Sequence, residues 1–143
     1  MQLNVNNIPK VLKDLNIWLC YDDRDKDYFK DLSDAEVNQE RKAPRDLKGN
    51  KCSIKKHFSL NECLDSIDKG FNSGVGLALN NNGIVCIDYD NCISSSYIDD
   101  KLGLKLPILK EDVKDRINKD IVLLNSYTEI SPSGKGIHIY LMA

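Results

Sequence analysis

Residues 126–142 leave the backbone few options. Ser131-Pro-Ser-Gly-Lys-Gly136 carries one proline and two glycines in six positions. That run excludes a helix interior and a central strand, and it demands a turn. On one side lies Ser126 to Ile130, expected as a strand. On the other, Ile137, Ile139 and Leu141 alternate with His138 and Tyr140, the period of a strand with one apolar and one polar face. The segment therefore reads as strand, turn, strand, with a histidine on the polar face just beyond the turn.

A second segment has the same character. Ile84 to Ile87 is apolar and β-branched, as expected for a buried strand, and it runs into Asp88-Tyr-Asp90. Alternation puts Asp88 and Asp90 on one face, roughly 6.5 to 7 Å apart along the backbone. Two carboxylates so placed repel each other unless a cation joins them, and they can hold or bridge divalent ions. A solvated acidic turn is the alternative reading, because Asp and Asn are common turn residues. The Ser/Gly turn adds the complementary chemistry. Glycines permit close backbone approach, turn amides form anion-binding concavities, and Lys135 supplies a point charge suited to phosphate. The Walker pattern is absent, so this is not a P-loop. His138 can donate a hydrogen bond to a phosphate oxygen, or it can be structural, as most strand histidines are.

These residues together resemble the archaeo-eukaryotic primase superfamily. The chain is most similar to the primase-polymerase domains that open many phage and plasmid replication proteins. The resemblance rests on Asp88-x-Asp90 and on Tyr127-Thr-Glu-Ile-Ser-Pro-Ser-Gly-Lys-Gly-Ile-His138. Ile8-Pro9, Ile17-Trp-Leu-Cys-Tyr21, Lys42-Ala-Pro44 with Gly49, and Gly74-Val-Gly-Leu-Ala-Leu79 extend it over roughly Ile8 to Tyr140. It implies an α+β fold, mainly antiparallel sheet with helices packed on one face. It implies Asp88 and Asp90 as ligands of Mg²⁺ or Mn²⁺, and those two with His138 as the catalytic set. Ser131, Ser133, Gly134, Lys135 and His138 would bind a nucleoside triphosphate. The implied activity is template-directed nucleotidyl transfer on a single-stranded DNA template in phage or plasmid replication, beside a helicase domain or other replication proteins.

The chain also departs from the family. Its relatives carry a third acidic residue well downstream of the histidine, and here Ala143 follows His138 by only a few positions. Lys56-His-Phe58 stands where relatives often carry tryptophan. Glu129 is a candidate substitute for the third carboxylate. The departures favour nucleotide or metal binding over turnover. The alternatives are a catalytically incomplete nucleotide- or DNA-binding module and a mobile-element interaction protein that inhibits a partner. The expectation is the front of a longer replication protein or a natural short derivative.

Length and composition set further bounds. A chain of 143 residues with 41% hydrophobic content is expected to form one domain with a real core. A net charge of −2 gives no global basic footprint for nucleic acid. The local exception is Arg41, Lys42, Arg45, Lys48, Lys51, Lys55 and Lys56. Within it, Arg41, Lys42, Arg45 and Lys48 are candidate contacts to backbone phosphates, and a solvated loop is the bland alternative. No apolar run reaches 18 residues and no leader pattern is present, so a cytoplasmic location without membrane contact is expected. Five cysteines without a Cys-x-x-Cys spacing argue for reduced thiols.

Local signals predict the remaining elements. Asn7 and Pro9 open a helix lined by Ile8, Leu12 and Leu15. Ile17 to Tyr21 is a strand with Trp18 in the core. The charged segment Asp22 to Asp46 is a loop with a short helix near Ser33 to Gln39. Ser59-Leu-Asn-Glu62 is a capping box for a helix that buries Leu60, Cys63, Leu64 and Ile67 and stops at Gly70. Asn81-Asn-Gly83 predicts a hairpin between Gly76–Asn80 and Ile84–Asp88. Ser94 to Pro107 reads as irregular or partly helical. Lys110 to Lys119 is a helix with Val113 and Ile117 inward, and Ile121 to Leu124 either extends it or starts a strand.

Overall fold

The computed structural model describes residues 4–24 and 31–143; residues 25–30 of the expected charged loop lie outside the described residues. Helices and antiparallel strands alternate irregularly along the chain, an α+β fold. Its contacts cluster into two compact units, Gln2–Asn80 and Asn81–Ala143.

In the N-terminal unit a 3-10 turn, Val5–Asn7, precedes α1 (Lys10–Lys13). Pro9, not Asn7, occupies the cap position, where its missing N–H costs nothing. Ile8 and Leu12 are buried as expected. Next comes β1 (Trp18–Tyr21), with Trp18 in the core and its indole N–H donating to the Leu12 carbonyl. The helix α2 (Asp34–Lys42) starts one residue after Ser33, which forms a full capping box with Glu36. The predicted capping box at Ser59 and Glu62 is present and opens α3 (Leu60–Asp68). Gly70, at φ +77°, ends it. The Gly70 amide bonds the Ile67 carbonyl and the Phe71 amide bonds the Ser66 carbonyl, a Schellman closure that needs a left-handed residue at this point. Leu60, Cys63 and Ser66 are fully buried, while Leu64 and Ile67 are half-buried. The last strand of the unit, β2 (Gly74–Leu77), pairs antiparallel with β1.

The predicted hairpin through Asn81–Gly83 is therefore not formed. The strand before that turn takes β1 as its partner, and the strand after it, β3 (Ile84–Tyr89), takes a strand from the end of the chain. The turn chemistry is real, since Asn81 and Gly83 both have positive φ, but a turn signal does not select which strands pair.

In the C-terminal unit, β4 (Ile93–Asp99) and β5 (Leu104–Leu109) form a two-stranded antiparallel ribbon where irregular or helical structure was expected. The Asp99 carboxylate accepts from the Lys101 and Leu102 amides and closes the turn at its tip. The next helix, α4 (Lys114–Leu124), includes Ile121 to Leu124 and ends at Asn125 in the left-handed region. Two more strands, β6 (Thr128–Ile130) and β7 (Ile137–Met142), form the predicted hairpin around the Ser/Gly turn. The sheet order is β3-β7-β6, all antiparallel. Ile137 and Ile139 of β7 point to one side, where they pack with Ile117, Cys92 and Ile93 as the core. Ile121 and Leu124 of α4 flank that core. A helix thus covers one face of the sheet, and the residues that alternate with the isoleucines face the other way.

Candidate functional site

That other face carries a row of three ionisable side chains. Register sets Asp88 of β3 opposite His138 of β7, and Glu129 of β6 opposite the same His138. Directly paired residues of antiparallel strands share a face. The row therefore reads carboxylate, imidazole, carboxylate across three strands. His138 Nε2 lies 3.6 Å from Asp88 Oδ1, beyond hydrogen-bond reach but close enough for charge attraction. Its Nδ1 lies 3.2 Å from Glu129 Oε1. An ionised carboxylate only accepts, so Nδ1 carries the proton and donates.

Glu129 is held from further sides. The Tyr140 hydroxyl donates to Oε1 at 3.0 Å and the Tyr127 hydroxyl to Oε2 at 3.0 Å. The two phenol rings stack with centroids 5.9 Å apart. Burial, reinforced by the Glu129 charge, pushes both phenols above the ordinary tyrosine range, so they remain donors. His138 is also pushed upward. The hydrogen bond to Glu129 is the main cause, working against burial, and the charges of Glu129, Asp88 and Asp90 add to it. The imidazole is thus biased toward its cationic form, which suits an anion. Asp90 follows β3 in a turn, is exposed, and lies near enough for its charge to act on His138.

The Ser/Gly turn is tied to the aspartate strand by contact. A Cβ on Gly136 would come within 2.8 Å of the Tyr89 carbonyl oxygen and 3.1 Å of Ser131 Oγ, so only glycine fits. The Ile93 amide donates to the Lys135 carbonyl at 3.0 Å. The two segments singled out in the sequence are therefore neighbours, paired in one sheet and in contact at the turn. The turn itself differs in one respect from the expected anion cradle. Three of its amides are already used: Gly134 N–H bonds the Ser131 carbonyl, Lys135 N–H bonds Ser133 Oγ, and Gly136 N–H bonds Ser131 Oγ. Ser131 is buried and acts as the internal brace of the turn, while Ser133, Gly134 and Lys135 are exposed. In this conformation the turn offers the exposed Lys135 and Ser133 side chains, not a nest of free amides.

Among the described residues no three His, Cys, Asp or Glu side chains converge to hold a metal ion. A preformed metal cage is therefore absent from the described residues. The exposed pair Asp88 and Asp90 fits the other way in which Mg²⁺ is held, by one or two carboxylates together with phosphates that the substrate brings.

The basic stretch belongs to the N-terminal unit. Arg41, Lys42 and Lys48 are exposed. Arg45 is buried: its backbone bridges to Cys20, and its guanidinium donates to the Gly49 carbonyl and the Glu40 carboxylate. Its charge holds the unit together internally and is not presented for phosphate. Lys51 pairs with Glu40 and Lys56 with Asp46.

Glu129 is the residue whose role sequence reasoning missed, having considered it only as a spare metal ligand. The signal was present. Once the turn Ser131–Gly136 pairs Ile130 with Ile137, Glu129 must stand opposite His138 on the same face.

No family model matches this chain, and no curated protein matches it. No described helix is long and apolar enough to cross a membrane.

Proposed function

We propose that the C-terminal unit carries a nucleoside triphosphate-binding site of the primase-polymerase type. One observation supports the reading: Asp88, distant in sequence, pairs with His138 just beyond the Ser131–Gly136 turn, and a carboxylate and an imidazole lie side by side at the end of that turn. On this reading His138 and Lys135 meet the phosphates, with Ser133 beside them. Asp88 and Asp90 would hold a Mg²⁺ or Mn²⁺ there. In a nucleotidyl transfer that ion would lower the pKa of a 3′-hydroxyl and neutralise charge at the α-phosphate. The exposed Arg41, Lys42 and Lys48 are the proposed contacts to a single-stranded DNA template.

One specific contact bears on the role of Glu129. Glu129, the candidate third carboxylate, is occupied by three donors of its own row and is not free to serve a metal. The test is a calorimetric titration of the chain with a deoxynucleoside triphosphate, with and without Mn²⁺, repeated on Asp88→Ala/Asp90→Ala. The expected result is Mn²⁺-dependent binding that the double variant loses. A folded chain that binds no triphosphate would refute the reading and favour a role as an interaction protein.

A further inference from the structure

We infer that Glu129 is a positioning residue: it acts on the bound anion only through His138, whose ring it holds with Nε2 directed to the Asp88 side. The inference rests on the nucleotide-site reading for its functional consequence, but not for its structural content. An imidazole on a strand can rotate about its side-chain bonds and present either nitrogen. Here Nδ1 is engaged by Glu129 Oε1 at 3.2 Å, and Nε2 is the nitrogen 3.6 Å from the Asp88 carboxylate. Exchanging the two nitrogens would break the bond to Glu129 and leave that carboxylate with one donor fewer.

Glu129 is itself prevented from turning away. Tyr140 grips one carboxylate oxygen and Tyr127 the other, each at 3.0 Å, and the stacked rings hold the two hydroxyls in place. Tyr140 Oη also lies 3.4 Å from His138 Nδ1 and meets its ring edge-on, with centroids 6.0 Å apart. Two phenols, a carboxylate and an imidazole thus form a chain of hydrogen bonds, in which each member orients the next. The anion touches only the last of them. A carboxylate that fixes the ring plane of a functional histidine is a recurrent device.

The chain contains only two histidines, and the other, His57, is exposed in the N-terminal unit. It serves as an internal reference. Imidazole ¹H–¹⁵N correlation spectra of the full chain distinguish a protonated, hydrogen-bonded ring nitrogen from a bare one. In Glu129→Ala the Nδ1 signature of His138 is expected to change, with His57 unmoved. Should that variant not fold, the isosteric Glu129→Gln is expected to weaken the same bond and shift the Nδ1 proton. An unchanged His138 signature in a folded variant overturns the inference, whatever the chain binds.

The functional consequence is read from affinity for a deoxynucleoside triphosphate with Mn²⁺. Glu129→Ala is expected to lose roughly tenfold or more, the scale for removing a histidine-orienting carboxylate, with Glu129→Gln in between. In a His138→Ala background the same change is expected to cost little, because Glu129 has nothing left to orient. An additive loss in that background overturns the proposed route through His138, and so does unchanged affinity despite a changed ring signature. If the intact chain binds no triphosphate, the nucleotide reading and with it the functional role fall, while the ring spectra still decide the orienting contact.

Discussion

Gly136 is the position where a single added carbon most directly tests whether the two motifs form one site. A Cβ there meets the Tyr89 carbonyl, a rigid backbone atom that cannot move aside as a flexible side chain would. Gly136→Ala is expected to push the Ser/Gly turn away from the end of β3 while the β6–β7 pairing survives. Backbone amide spectra should then change at Tyr89, Ser131 and Gly136, and triphosphate affinity should fall with Asp88 and Asp90 intact. An alanine variant with unaltered spectra and affinity would mean that the close approach is incidental. At this scale the sequence was informative about which side chains share a face and silent about how the polar groups of the turn are engaged. That Asp88 and His138 share a face was legible because alternation assigns faces, whereas Asp90 lies in the turn beyond β3, where alternation no longer applies. The internal use of the turn amides by Ser131 and Ser133 was not legible, because it depends on the turn's conformation and not on its composition.

Elements were legible where the signal lies within a few residues. The Ser59–Glu62 box and the Gly70 stop are complete within α3 and its flanks, and both formed as expected. Ser59→Ala removes the acceptor for the Glu62 amide and is expected to cost about 1 kcal/mol. Ile117 of α4, fully buried against the sheet, is expected to cost about 2 to 5 kcal/mol when cut to alanine. Urea midpoints measure both, and unchanged m-values would show that the loss is in stability and not in compactness. The β4–β5 ribbon was missed for a physical reason. Ser94 to Ser96 carry no apolar alternation, and Pro107 normally argues against a strand. Proline is tolerated here because a two-stranded ribbon has only edges.

At the scale of the whole molecule the main surprise was the partnership of strands. Local turn chemistry at Asn81–Gly83 suggested neighbours, but β2 and β3 found partners elsewhere, and the chain divides into two units at that turn. Charge is arranged differently in the two. In the N-terminal unit, hydrogen bonds from Arg24 outweigh burial and hold Asp22 below the usual carboxylate range. Lys51, and after it Arg45, does the same for Glu40. Backbone amides of Asn50 and Lys48 do so for Asp46. Depressed carboxylates contribute stability above their unfolded pKa, about 4, and lose it as pH falls through the lower folded values. Circular dichroism with falling pH is therefore expected to show this unit losing stability below about pH 4. Arg45→Met should reduce the pH-dependent part, and an unaltered acid profile would count against the ion pairs as its source. The site of the C-terminal unit has another kind of dependence. Its Asp88–His138 contact exists only through pairing of β3 with β7, segments separated by a ribbon, a helix and a strand. Pairing at such a sequence separation is expected to form after the local contacts of the ribbon and the helix, so the last step of closing the sheet brings Asp88 to His138. A phosphate ligand would then act as a clasp: by binding only the closed sheet it would raise the unfolding temperature of that unit, by steps that follow the logarithm of its concentration once above Kd.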